Sequence, residues 1–180
     1  MAKSWATIVE IKNNYDSLNR MLKFIKDNAV YVGVPDATLE REKEHNEVTN
    51  AELLFIHTNG SQPKHIPARP VIEPAIENSL DSIFSLLKKA AQLASEGNGS
   101  EAYRTLGLVG MKAQKVCRLW FVSPLNNWPP NSPAVQRRKR RKKSTDPKPL
   151  IDTGELRKSI TYFIETKGVR KYDDKRGGID

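Results

Sequence analysis

The chain has 180 residues and a net charge of +9, with 30 Lys and Arg against 21 Asp and Glu. That length fits one domain with at most a small appendage, and 38% hydrophobic residues allow one core with much solvated loop. The longest apolar stretches fall far short of the roughly 20 residues that span a membrane, so no membrane partner is expected. The opening Met1-Ala2-Lys3-Ser4-Trp5 lacks the apolar segment of a secretory signal, and none is expected. Cys117 is the sole cysteine, which excludes an internal disulfide and any zinc site built on several thiolates. His45, His57 and His65 are not at helical ligand spacing, so no metal and no cofactor is expected. The charge is unevenly placed. Arg137, Arg138, Lys139, Arg140, Arg141, Lys142 and Lys143 are consecutive, and without them the chain is close to neutral.

In chain order, residues 5–12 are rich in β-branched side chains and predict a strand. Residues 15–26 place Leu18, Leu22 and Ile25 on one face, with Met21 beside them, and predict a helix capped by Asn13 or Asn14. Residues 29–34 read as a strand stopped by Pro35, and 36–49 as an exposed polar excursion. Thr49 and Glu52 stand in capping-box positions before a short helix that ends at Gly60, with Ala51, Leu54, Phe55 and Thr58 facing inward. Three prolines at 63, 67 and 70 make a rigid extended loop. Two long helices follow. Residues 74–95 repeat Ile76, Leu80, Ile83, Phe84, Leu87, Ala91 and Ala94 at steps of 3 and 4. Residues 101–122 turn Ala102, Leu106, Val109, Ala113, Val116 and Trp120 inward, and Gly107 and Gly110 either weaken the middle or permit close packing.

Residues 123–149 show no periodicity and hold six prolines around the basic run; a loop of this length tends to be functional or disordered. Asp152 and Glu155 form a capping-box variant for a helix at 153–159, residues 160–166 read as a strand, and 167–180 as a mobile polar tail. The expected fold class is α+β: a small, mostly antiparallel sheet packed against two long helices, with a long extended Pro-rich basic loop. One domain is expected over 1–166, containing an arm at 123–149.

Asp152-Thr153-Gly154 matches the tripeptide of aspartic proteases, where two carboxylates share one proton. One copy would require a dimer, and Glu155 stands where those enzymes place a small residue; the competing reading is a helix cap. The run 137–143 has three readings: phosphate contact, docking on an acidic protein surface, or a loop extended by self-repulsion. It has no interleaved aromatics for base stacking. Trp120 and Trp128, with Phe121, either cap a core or, if exposed, anchor an interface. No nucleophile–base pair stands out, so no catalytic residue and no enzymatic activity is expected.

Several segments in order carry a resemblance: 31–35 (Tyr-Val-Gly-Val-Pro), 50–60 (ending Thr-Asn-Gly), 66–75 (Ile-Pro-Ala-Arg-Pro-Val-Ile-Glu-Pro-Ala), 128–133 (Trp-Pro-Pro-Asn-Ser-Pro), and 148–156 (Lys-Pro-Leu-Ile-Asp-Thr-Gly-Glu-Leu) followed by Ser159-Ile160. As an ordered set over about 29–165, they resemble the virion-morphogenesis and tail-completion proteins of tailed bacteriophages, which include head–tail joining (neck) proteins. Val71-Ile72 departs from the usual Phe, and the excursion and basic run are longer than in that family. The resemblance implies a non-catalytic subunit that forms a homo-oligomeric ring, six-fold by analogy. It implies assembly in the host cytoplasm and residence in the virion neck, between the portal or adaptor and the tail terminator or tail tube. Genomic DNA in the channel is a further expected neighbour. Ile66, Pro67, Ala68, Arg69 and Pro70 would form an interface loop that loses little entropy on docking, and 137–143 an assembly arm. Two other functions remain open: a DNA-binding accessory protein using the basic run, and a dimeric aspartic protease.

Overall fold

A computed structural model describes residues 5–35, 48–141, 148–151 and 154–172. The fold is α+β, with seven α-helices and one three-stranded sheet among those residues. The order is α1 (Trp5–Asp27), β1 (Asn28–Gly33), α2 (Asn50–Asn59), α3 (Ile72–Glu77), α4 (Leu80–Ser95), α5 (Gly99–Trp120), a 3-10 turn (Pro124–Asn126), α6 (Pro133–Arg141), α7 (Glu155–Ser159), β2 (Thr161–Thr166) and β3 (Val169–Tyr172). The chain divides into two compact units. The first comprises Met1–Tyr31, Leu80–Lys112 and Tyr162–Asp180; the second comprises Val32–Ser79 and Ala113–Thr161.

In the first unit, the expected strand at 5–12 is instead the start of α1. Extending an existing helix adds one hydrogen bond per residue, whereas β-branched residues each cost only a few tenths of a kcal/mol in a helix. The inward face of α1 also differs. Ser17, Met21 and Phe24 are shielded, while Tyr15, Leu18, Leu22 and Ile25 remain 65%, 48%, 53% and 55% exposed. Helix α1 packs on α4, and Ser17 Oγ and the Arg20 guanidinium donate to Ser95 O at 2.8–3.0 Å. That places a cation at the C-terminus of α4, where the helix dipole favours it.

The predicted helix at 74–95 is two helices, α3 and α4, separated by a turn at Asn78 and Ser79. Ile83, Ala90 and Ala94 are its buried positions, while Leu80, Phe84 and Leu87 face outward. Helix α4 ends in a Schellman arrangement: Asn98 N donates to Leu93 O, Gly97 N to Ala94 O, and Gly97 takes φ +87°. Strand β1 runs antiparallel to β2: Thr166 Oγ1 meets Asn28 Oδ1 at 2.9 Å, and the rings of Tyr31 and Phe163 stack at 4.9 Å. Strands β2 and β3 form a hairpin with Thr166 opposite Val169. Its two loop residues, Lys167 and Gly168, both have positive φ, as a type I′ turn requires. Residues 167–172 of the expected mobile tail are therefore turn and strand, and 173–180 lie outside the described residues. Ala90, Leu106, Tyr162 and Ile164 make the core, with Phe24, Val30 and Tyr103 against it.

In the second unit, α2 begins with the expected capping box. Thr49 Oγ1 accepts from Glu52 N, and the Glu52 carboxylate accepts from Thr49 N at 2.8 Å. Phe55, expected inward, is 70% exposed; Leu53 and Leu54 meet the core. The core is Val71, Ala75, Cys117, Trp120, Phe121, Leu156 and Ile160. Burying a side chain such as Phe121 or Ile160 stabilises by about 1.5–3 kcal/mol. The region expected as an extended loop is largely folded, into the 3-10 turn, a Pro-rich strap and α6.

Candidate functional site

The segments scattered along the sequence converge in the second unit. At the end of α2, Gly60 has φ +74°, and a Cβ there would meet Ala68 N and Ile66 O at 2.8 Å. Only glycine lets the proline loop return so closely. Ser61 and Ile66 bridge through two backbone hydrogen bonds, and Arg69 N donates to His57 O at 2.6 Å. The Arg69 side chain is buried. Its Nε and Nη2 donate to Pro129 O at 3.2 and 2.9 Å, and Nη2 also to Pro130 O at 3.2 Å. Trp128 Nε1 donates to Pro70 O at 3.1 Å, and its ring meets Phe121 edge-on at 5.8 Å. Arg69 and Trp128 thus fasten the proline loop at 66–70 to the strap at 128–130. Of the five expected interface-loop residues, Pro67 and Ala68 are exposed, Ile66 and Pro70 half-buried, and Arg69 structural. Trp120 is buried and Trp128 half-buried, so both take the core-cap role within this chain.

The described part of the basic run, 137–141, is helical rather than an extended strip. Ser132 and Pro133 open α6 as N-cap and first helical residue; Val135 N lies 3.4 Å from Ser132 Oγ, and Gln136 Nε2 donates to Asn131 O at 2.7 Å. The pair Ser132-Pro133 is a helix-start signal that a sequence reading could have used. Within the helix the run is divided. Lys139 is 6% exposed, and its Nζ donates to Lys148 O and Ile151 O. Arg137, Arg138, Arg140 and Arg141 are exposed on the other side, and Lys142 and Lys143 lie outside the described residues. Like charges one turn apart repel, so the helix depends on the Lys139 anchor and on its cations lying in the last turn, where the dipole favours them.

Between α6, the proline loop and α7 lies a cleft of roughly 680 Å³. Lys64, His65, Arg69, Arg138 and Lys139 contribute to its wall, and Glu155 is the acid among its described lining residues. His57 also lines it. Burial, and secondarily the Arg69 charge, push the His57 pKa below its ordinary value, and its Nδ1 is buried without a hydrogen-bond partner. Burial raises the Cys117 thiol to about 11, which keeps it protonated and unreactive at neutral pH.

The cap expected from Asp152 and Glu155 rests on a residue, Asp152, that lies outside the described ones. Helix α7 starts at Glu155, with Gly154 at φ +79° as its N-cap and no side-chain capping bond. Glu155 therefore sits in the first helical position rather than the third. The φ of Gly154 is the local reason, since only glycine takes a left-handed turn there at no steric cost. Asp152 and Thr153 lie outside the described residues. Among the described residues, no three His, Cys, Asp or Glu side chains group as metal ligands, and no helix is long and apolar enough to cross a membrane. The chain matches no known family, no curated protein and no solved structure.

Proposed function

We propose that this chain is a structural virion subunit of a tailed bacteriophage, a neck or tail-completion protein that forms a homo-oligomeric ring joining head to tail. The observation that carries the assembly part is the outward apolar surface of the first unit. Tyr15, Leu18, Leu22 and Ile25 on α1, and Leu80, Phe84 and Leu87 on α4, are exposed in the single chain. Large apolar stripes of this kind mark contact surfaces, and a second copy is the occupant a ring supplies. The kind of assembly comes from the ordered motif set and its resemblance to neck proteins. Support for a structural role also comes from what those motifs do locally: Gly60, Arg69, Trp128 and Lys139 hold loops in place and leave backbone carbonyls satisfied. The neighbours in this reading are the portal or adaptor and the tail terminator or tube.

Solution mass and particle assembly test it. The purified chain should run as a multimer at assembly concentrations, alone or with neck partners. Leu22→Glu with Phe84→Glu should yield monomers that retain their helical circular dichroism. Particles lacking the protein should accumulate filled heads and separate tails. A strict monomer under all these conditions, or normal virions without the protein, would overturn the reading.

A further inference from the structure

We propose that the exposed arginine face of α6 binds the phosphate backbone of duplex DNA. Arg137, Arg138, Arg140 and Arg141 occupy one outward arc of the helix, and no acid lies in Pro133–Arg141. The opposite side is held by Lys139, whose two carbonyl partners fix the helix against residues 148–151. The helix backbone is therefore preorganised, and only the arginine side chains have to order on binding.

The surroundings favour a uniformly negative partner. The described residues of the second unit hold twelve Lys and Arg against four Asp and Glu, and none of the four arginines is engaged by an acid among them. Lys64 and His65 share the cleft wall with Arg138, which extends the positive surface beyond the helix. The arc has no aromatic or large aliphatic side chain. Protein interfaces are built around such anchors, and single-stranded nucleic acid requires stacking platforms. A cationic helix face without either matches the repeating phosphates of a duplex, for which the guanidinium fork is suited. The choice of DNA rests on the virion reading above, but binding by the isolated chain does not require ring formation or particles.

The test is fluorescence anisotropy of the full chain with a labelled 30-base-pair DNA duplex over a salt series. Four phosphate contacts give a slope of log K on log salt of about −3 to −4, and roughly a hundredfold loss of affinity between 50 and 200 mM salt. Replacing Arg137, Arg138, Arg140 and Arg141 together by Gln should remove most of that slope. The substitutions relieve repulsion but also remove favourable charge from the last turn of α6, so thermal stability should change little. Lys88→Gln, in the other unit, should leave the slope unchanged. The proposal fails if no duplex binding occurs at low salt, or if the quadruple variant keeps the wild-type slope. It also fails if polyglutamate binds this face more tightly than the duplex does, which would make it a protein-docking surface. A monomer that binds DNA in this way would sink the ring while leaving this inference standing.

Discussion

Gly107 and Gly110 lie three residues apart on α5 and look alike in the sequence, yet they have opposite consequences. A Cβ on Gly110 would overlap the ring of Tyr162, which is buried and cannot swing away, whereas one on Gly107 would meet nothing within 4 Å. Gly110→Ala should therefore destabilise by about 1–3 kcal/mol through overpacking, despite its better helix propensity. Gly107→Ala should stabilise by about 0.5–1 kcal/mol. Urea denaturation of the two variants separates these outcomes; a stabilising Gly110→Ala would mean that the strand does not pack this closely on the helix. Both glycines were visible in the sequence, but which one gives room to a neighbour depends on where Tyr162 comes to rest.

Helix α6 shows how an element can hide inside a charge run. Seven consecutive cations read as one solvated strip, because net charge has no periodicity. The helical turn sorts them: Lys139 falls on the inner side, among backbone carbonyls, and its arginine neighbours fall outside. Lys139→Met would keep the aliphatic stem but leave the carbonyls of Lys148 and Ile151 without their ammonium partner. The expected cost is about 1–3 kcal/mol, with the loss of protection centred on 133–141 and 148–151 in hydrogen exchange. Equal protection in mutant and wild type would show that the anchor is dispensable. Arg69 and Trp128 act in the same way on the neighbouring strap, since each spends its donors on carbonyls about 60 residues distant in sequence.

On the scale of the whole molecule, the net charge of +9 is shared unequally between the two units. The described part of the first carries eleven Lys and Arg against seven acids, while the second carries twelve against four. The second unit also holds an acid-sensitive group, His57. His57 has a folded pKa below its ordinary 6.5, first because it is buried and then because Arg69 is near. Between those two values the unfolded chain binds more protons, so stability is full above pH 6.5 and is lost as pH falls through 6.5 toward the folded value. Thermal melts from pH 8 to pH 5 should show this fall, and His57→Gln should flatten it. Parallel curves for the two proteins would assign the sensitivity to another group.

The sequence alone determined the features that depend on neighbours within a few residues. The α+β class, the Thr49–Glu52 capping box, the stop at Gly60 and the inward positions of α5 all follow from local hydrogen bonding, backbone freedom and apolar periodicity. Tertiary structure decided what depends on distant partners. Both α1 and α4 carry apolar residues on more than one side, and periodicity cannot say which stripe a core will cover; Phe24 and Ile83 are shielded, while Leu22 and Phe84 are left out. The same holds for the β3 hairpin, whose Lys167-Gly168 turn forms where Lys167 N donates to Asp27 O, and for Lys139, whose carbonyl partners come from beyond the end of its own helix. Local chemistry sets which conformations are cheap, and long-range packing selects the face, the pairing and the buried charge.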